Sequence, residues 1–263
     1  MYQSSHTLLK KYWNWAIVTG ASSGIGKQIA IQLAKHWFNI IAVARDSVKL
    51  QELQSELQSE YHITCILVSA DLSTRQWINT LIQESDKYDI GVAVMNAWFG
   101  TSGLFKNSTL ETEINMLELN CTSTLILTHH YIQKFISQQK WAIVLLSSIL
   151  AFQWTAYSAN YAATKAYIQT LWEWLAEELQ GTWVDILTVA PWPVDTWFSH
   201  RAQMNLSNAA SAATVAEEII ASLGKTTFIY PWLQSKLLWY SISLLPRRAK
   251  SKVMKLVMKA ITK

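Results

Sequence analysis

Tyr161 and Lys165 stand four residues apart in a segment of helical pattern, residues 159–179, so their side chains share one helix face. A phenol with a pKa of about 10 is a poor acid at neutral pH unless its anion is stabilised, and an ammonium one turn away can do that. Alone, such a pair is an ordinary packed tyrosine with a solvated lysine beside it. Two further features change its meaning: Ser147-Ser148 ends an apolar run upstream, and Asn120 interrupts a long helical stretch. A second constellation lies near the start of the chain. Thr19-Gly20-Ala21-Ser22-Ser23-Gly24-Ile25-Gly26 follows the apolar run 15–18 and opens a helical pattern. Gly20 permits a tight turn off a strand, Ser22 and Ser23 offer hydroxyls and N–H groups, and Gly24 and Gly26 let backbone and helix approach closely. A pyrophosphate would sit on that helix N-terminus, where unpaired N–H groups and the dipole favour anions.

The elements that must hold these residues are legible as a pattern. Continuous apolar runs at 15–18, 39–44, 64–69, 90–95, 141–146 and 184–189, with a short one at 227–230, read as strands covered on both faces. Between them, residues 27–35, 46–61, 74–87, 109–136, 159–179 and 214–223 carry helical spacing, with a break near Asn120. This alternation, without repeat or linker, predicts an α/β single-domain Rossmann fold: a doubly wound parallel sheet of about seven strands with helices on both faces, over residues 1–245. The 263-residue length suits one large domain, and 51% apolar with 15% charged residues is a globular composition. No run reaches the ~18 apolar residues of a membrane span, and the first residues lack a signal-peptide core, so the cytoplasm is the expected compartment. Cys65 and Cys121 lie in apolar patterns and the six histidines lack ligand spacing, so neither disulfides nor a metal site is expected.

From residue 15 to about 198 the chain resembles the short-chain dehydrogenase/reductase family, classical type. TGASSGIG is similar to that family's cofactor loop. The resemblance implies a catalytic tetrad of Asn120, Ser148, Tyr161 and Lys165. It assigns Asp71-Leu72 to holding the adenine, Asn96-Ala97 to the start of the Asn-Ala-Gly motif after the fourth strand, and Pro191 with Pro193-Val194-Asp195-Thr196 to the segment that cradles the nicotinamide. The implied cofactor contacts are Gly20, Ser22, Ser23, Gly24, Ile25, Gly26, Arg45, Asp71, Leu72, Asn96, Ala97, Pro191, Val194 and Thr196, together with Tyr161 and Lys165. The implied reaction is hydride transfer between a nicotinamide and a carbonyl or alcohol carbon. Ser148 would hydrogen-bond the substrate oxygen, Tyr161 would exchange its proton, Lys165 would lower the tyrosine pKa and hold the ribose, and Asn120 would seat a water. Tyr12-x-Asn14-Trp15 before the glycine loop and Tyr88-Asp89-Ile90-Gly91-Val92 are similar to the hydroxysteroid and 3-ketoacyl reductase branch, which hints at a lipophilic ketone. Family habit implies a homodimer or homotetramer. The loop 195–211, which would cover the substrate, carries no specific signal.

Cofactor choice is read after the second strand. An acidic residue there would accept from a ribose 2′-OH and repel a 2′-phosphate, whereas this chain has Ala44 followed by Arg45, favouring NADP(H) over NAD(H). Asp46 argues the other way unless it caps the following helix.

The pattern breaks in one direction. There are 14 Trp and 8 Gly, against the roughly 18 glycines that ordinary usage predicts for this length. Trp98 and Trp192 stand where the family has the glycines of Asn-Ala-Gly and Pro-Gly, and Trp13, Trp37, Trp141, Trp154, Trp183 and Trp197 also occupy positions usually given to glycine or a small turn residue. Two readings are open: a degenerate paralogue that binds cofactor without turnover, or a translation in which UGA codons that the organism reads as glycine were written as tryptophan.

The positive balance lives in residues 246–263, whose seven basic and no acidic residues, if removed, take the formal charge from +4 to −3. Val253, Leu256, Val257, Ala260 and Ile261 recur there at helical spacing. An appended amphipathic helix packing on the domain or a partner subunit, or touching an anionic membrane surface, fits this pattern; nucleic acid does not, for want of any binding motif.

Overall fold

The computed structural model describes residues 6–137, 141–152, 155–191, 194–195, 210–232, 245–246, 248–250, 252–253 and 255–256. Helix α1 (His6–Lys11) precedes β1 (Trp15–Thr19), α2 (Gly24–Lys35), β2 (Asn39–Ala44), α3 (Ser47–Tyr61), β3 (Cys65–Ser69), α4 (Arg75–Ser85) and β4 (Ile90–Met95). Then come α5 (Leu110–Leu117), a π-helical turn (Glu118–Ser123), α6 (Thr124–Ile136), β5 (Trp141–Leu146), α7 (Ala159–Glu178) and β6 (Val184–Val189). Strands β7 (Val194–Asp195) and β8 (Ala210–Ser211), helix α8 (Ala212–Ser222) and strand β9 (Phe228–Ile229) follow, and short 3-10 turns lie at Phe105–Asn107 and Ile149–Phe152.

Seven strands form one parallel sheet in the order β3-β2-β1-β4-β5-β6-β9. The strands are mostly apolar because both faces are covered, and the period of two sorts their core residues. Ala16, Val18, Ala42, Val92, Val94 and Val144 join the core under α2, α3 and α8. Ile17, Ile41, Val43, Ala93, Met95 and Ile143 join the opposite core, under α4, α6 and α7. Strand order reverses between β1 and β4, and the crevice at their carboxyl ends is where such sheets bind ligands. The predicted doubly wound fold is therefore observed.

Three features were not read from the pattern. The break near Asn120 is a π-helical turn, α1 forms ahead of the first strand, and β7 pairs with β8 in a short separate ribbon. Trp154, Trp192, Pro193, Thr196 and Trp197 lie outside the described residues, as do all of 196–209 and most of 246–263.

Candidate active site

The glycine turn is built as its residues demand. Gly20 has φ +69 and Gly24 φ +56, backbone that favours glycine. A Cβ on Gly20 would come within 2.8 Å of Asn96 Nδ2, and one on Gly26 within 2.3 Å of the Gly20 carbonyl. The turn is clamped to the end of β4. Thr19 Oγ1 donates to Val94 O and accepts the N–H groups of Asn96 and Ala97, while Asn96 Nδ2 donates to Thr19 O at 3.0 Å and Gly20 O at 3.3 Å. The buried Asn96 Oδ1 has no hydrogen-bond partner. Ser23 occupies the N-cap of α2 without a side-chain cap bond.

In front of this turn lies a cleft of about 440 Å³ whose walls include Gly20, Ser22, Ser23, Gly24, Ile25, Arg45, Asp71, Leu72, Asn96 and Ala97. Asp46 caps α3, its Oδ1 accepting the Lys49 N–H at 3.1 Å. Asp71 accepts from the Ser73 N–H and hydroxyl, which fixes the loop after β3.

Asn120, Ser148, Tyr161 and Lys165 gather behind Trp98 and Phe99, which line the cleft. The π turn buries Asn120 at 2% exposure, and a π turn replaces the regular ladder at a position that sites often exploit. Asn120 Oδ1 accepts the Phe99 N–H, and its Nδ2 donates to Phe99 O and to Thr164 Oγ1. Thr164 donates in turn to Tyr161 O, so a buried threonine that the sequence reading missed joins Asn120 to the tyrosine's own helix turn. Ser148 follows β5, and its hydroxyl bonds both the Leu150 N–H and the Tyr161 phenol. Lys165 is 2% exposed, and its Nζ donates to Leu146 O at 2.7 Å. Glu113, another residue the pattern did not flag, is 5% exposed and accepts from Asn160 Nδ2 at 2.7 Å and Thr101 Oγ1 at 3.3 Å. A buried carboxylate needs such partners, and these pin the first turn of α7, which carries Tyr161, to α5.

The electrostatics correct one expectation. Burial pushes the Tyr161 phenol well above its ordinary value, with the Ser148 hydrogen bond pulling weakly the other way, and Lys165 is not among the causes. The ammonium is itself desolvated, and burial brings its pKa down to about 7 against a small opposing effect of Cys121. Two groups buried together each resist charge.

Pro191 accepts the Ile149 N–H and ties the β6 end to the Ser148 loop, and Val194 is buried in the core.

Fit to a dinucleotide divides in two. The glycine cradle, the α2 N-terminus, and Arg45 with Asp71 suit an adenosine diphosphate half. At the tetrad end the Trp98 indole intervenes: it lines the cleft, its ring centre lies 5.6 Å from that of Tyr161, and Lys165 Nζ sits 4.7 Å from the indole centre. A nicotinamide brought up to Tyr161 from the cleft would meet that indole.

Residues 14–225 match the short chain dehydrogenase family. The chain belongs to that family. Among its relatives is a 7beta-hydroxysteroid dehydrogenase of Clostridium sardiniense, 30% identical over 80% of this chain and 81% of that one. Another is a very-long-chain 3-oxoacyl-CoA reductase of Candida albicans, 33% identical over 73% of this chain and 59% of the other. A short-chain dehydrogenase from Sphingobium yanoikuyae, solved with NADPH, superposes with a TM-score of 0.81 at 25% identity, covering 87% of this chain and 91% of that one. Like other short-chain dehydrogenases of the hydroxysteroid and ketoacyl reductase branch, the protein is an oxidoreductase of CH–OH and C=O groups. Among the described residues no helix is long and apolar enough to cross a membrane.

Proposed function

We propose that this short-chain dehydrogenase reduces, or reversibly oxidises, a lipophilic ketone or its alcohol with NADP(H). The observation that carries the reading is the buried cluster of Ser148, Tyr161 and Lys165 packed behind Trp98, which itself lines the glycine-cradled cleft. In this reading Ser148 and Tyr161 hold the substrate oxygen between two hydroxyls, and Tyr161 exchanges the proton; the hydride belongs to the nicotinamide. Asn120, through Thr164, keeps the tyrosine's helix turn in register.

NADP(H) is favoured because Arg45 stands at the cleft wall while Asp46 is engaged as a helix cap and a structural relative was solved with NADPH. The lipophilic substrate is argued from relatives named for hydroxysteroids and 3-oxoacyl-CoA. A homo-oligomer is supported by a stripe of exposed apolar side chains along α5 and α6, Leu110, Ile114, Leu117 and Leu125, with Tyr167 and Trp174 exposed on α7. Contact of 246–263 with an anionic membrane is supported by its charge and by exposed Val253 and Leu256; salt-sensitive co-sedimentation with anionic vesicles, lost on truncation after Leu245, tests it.

A second reading, a cofactor-binding protein without turnover, is favoured by Trp98 over Lys165. NADPH oxidation screened against aldehydes, ketosteroids and 3-ketoacyl thioesters separates the two. Turnover of a bulky ketone is expected, and binding without turnover of any class would reject the enzyme reading.

A further inference from the structure

We propose that positions 37, 98 and 232 are glycine in the polypeptide the cell makes, the tryptophans being UGA codons its ribosomes read as glycine. At position 98 the argument rests on the dinucleotide reading of the cleft; at 37 and 232 it stands on backbone geometry alone.

Trp37 follows the last turn of α2. Its N–H donates to Ala34 O at 2.9 Å and the Phe38 N–H donates to Leu33 O at 3.1 Å, the paired bonds of a Schellman motif, with Trp37 at its left-handed position, φ 68. That position is usually glycine because a Cβ there crowds the following carbonyl. Trp37 is 48% exposed. Trp232 has φ 71, its N–H held by both oxygens of Glu218, so the chain is anchored in that conformation. Gly20, Gly24, Gly103, Gly181 and Gly224 share this backbone; His62 and Tyr157 are the other non-glycine residues among those described to do so. Histidine tolerates it far better than an indole-bearing residue. Trp98 fails for a different reason, since its ring fills the space between the cleft and the Tyr161–Lys165 pair.

The inference does not extend to every tryptophan. Trp141 is fully buried and stacks on Phe135 at 4.1 Å, a site that accepts an indole. Three substitutions in the same direction, each at a place where glycine is favoured by geometry, agree with the composition of 14 Trp against 8 Gly.

Two genes test the proposal, one encoding tryptophan and one glycine at the three positions (W37G/W98G/W232G). Each purified chain is titrated with NADPH and with 2′-phospho-ADP-ribose, which keeps the adenosine half but lacks the nicotinamide. The tryptophan chain is expected to bind both probes alike. The glycine chain is expected to bind NADPH at least about tenfold tighter than the fragment and to melt several degrees higher. A tryptophan chain that already prefers NADPH overturns the assignment at 98, and a lower melting temperature of the glycine chain overturns it at 37 and 232. If neither chain binds either probe, the dinucleotide reading fails and takes position 98 with it, while the melting comparison still decides the other two. The tryptic peptide between Lys35 and Arg45 from the source organism gives the residue directly: a glycine mass at 37 is expected, and a tryptophan mass refutes it.

Discussion

Lys165 Nζ lies 4.7 Å from the centre of the Trp98 indole and donates to Leu146 O at 2.7 Å. The Lys165 amine is thus directed to a carbonyl and an aromatic face, in a pocket with almost no solvent. Both contacts favour the charged amine, yet burial outweighs them and brings its pKa to about 7.

A pH dependence of stability follows. Between about 7 and the ordinary 10.5 the unfolded chain holds a proton on Lys165 that the folded chain does not. The residue's contribution to stability therefore rises as pH climbs through that window and is a constant penalty below it. Denaturant unfolding of wild type and Lys165→Met at neutral pH and near pH 10 should show a smaller rise for the variant. Equal rises would mean that Lys165 is charged in the folded protein.

In the proposed NADP(H) reading, cofactor selection turns on Arg45. Replacing it with alanine should weaken NADPH far more than NADH, by roughly 10- to 100-fold for a lost charge-assisted contact of about 1.5–3 kcal/mol. Isothermal titration of both cofactors decides, and equal losses would show that Arg45 does not read the 2′-phosphate.

Trp37→Gly should stabilise the fold by about 1 kcal/mol, because relief of a left-handed non-glycine backbone outweighs the extra freedom glycine gives the unfolded chain. Chemical denaturation measures it. A loss of stability would show that the indole contributes more than the backbone costs.

Self-association should depend on the α5–α6 stripe. Ile114, 47% exposed between Leu110 and Leu117, is its centre. Ile114→Glu should shift a dimer or tetramer towards monomer in light scattering behind size exclusion, with the melting curve of the monomer unchanged in shape; an unaltered mass would place the interface elsewhere.

The strands were legible because each is an apolar run buried on both faces, and the tetrad because four residue types recur at spacings that a resemblance could anchor. What the sequence hid is three-dimensional. Helical spacing cannot reveal that the residues around Asn120 wind as a π turn, since apolar positions shift by only one residue there. Thr164 reads as an ordinary helical threonine until Asn120 is seen donating to it. The pKa of Tyr161 was inferred from a neighbouring charge, and the burial that reverses the sign depends on Trp98 and the β5 loop closing over it. Asp46 caps α3 through the Lys49 N–H and also lines the cleft beside Arg45, a double position that spacing alone does not show.

The most direct measurement of the account is the rate of NADPH oxidation by Trp98→Gly with a bulky ketone, against the same chain carrying Tyr161→Phe. Removal of the one transferable proton should lower kcat by at least 10²-fold, in the range of general acid catalysis at about 10²–10⁴, while NADPH binding stays within about twofold. A Tyr161→Phe chain retaining activity within about tenfold, only ~1.4 kcal/mol in barrier, would show that Tyr161 is not the acid and that the cluster with Ser148 and Lys165 serves packing alone.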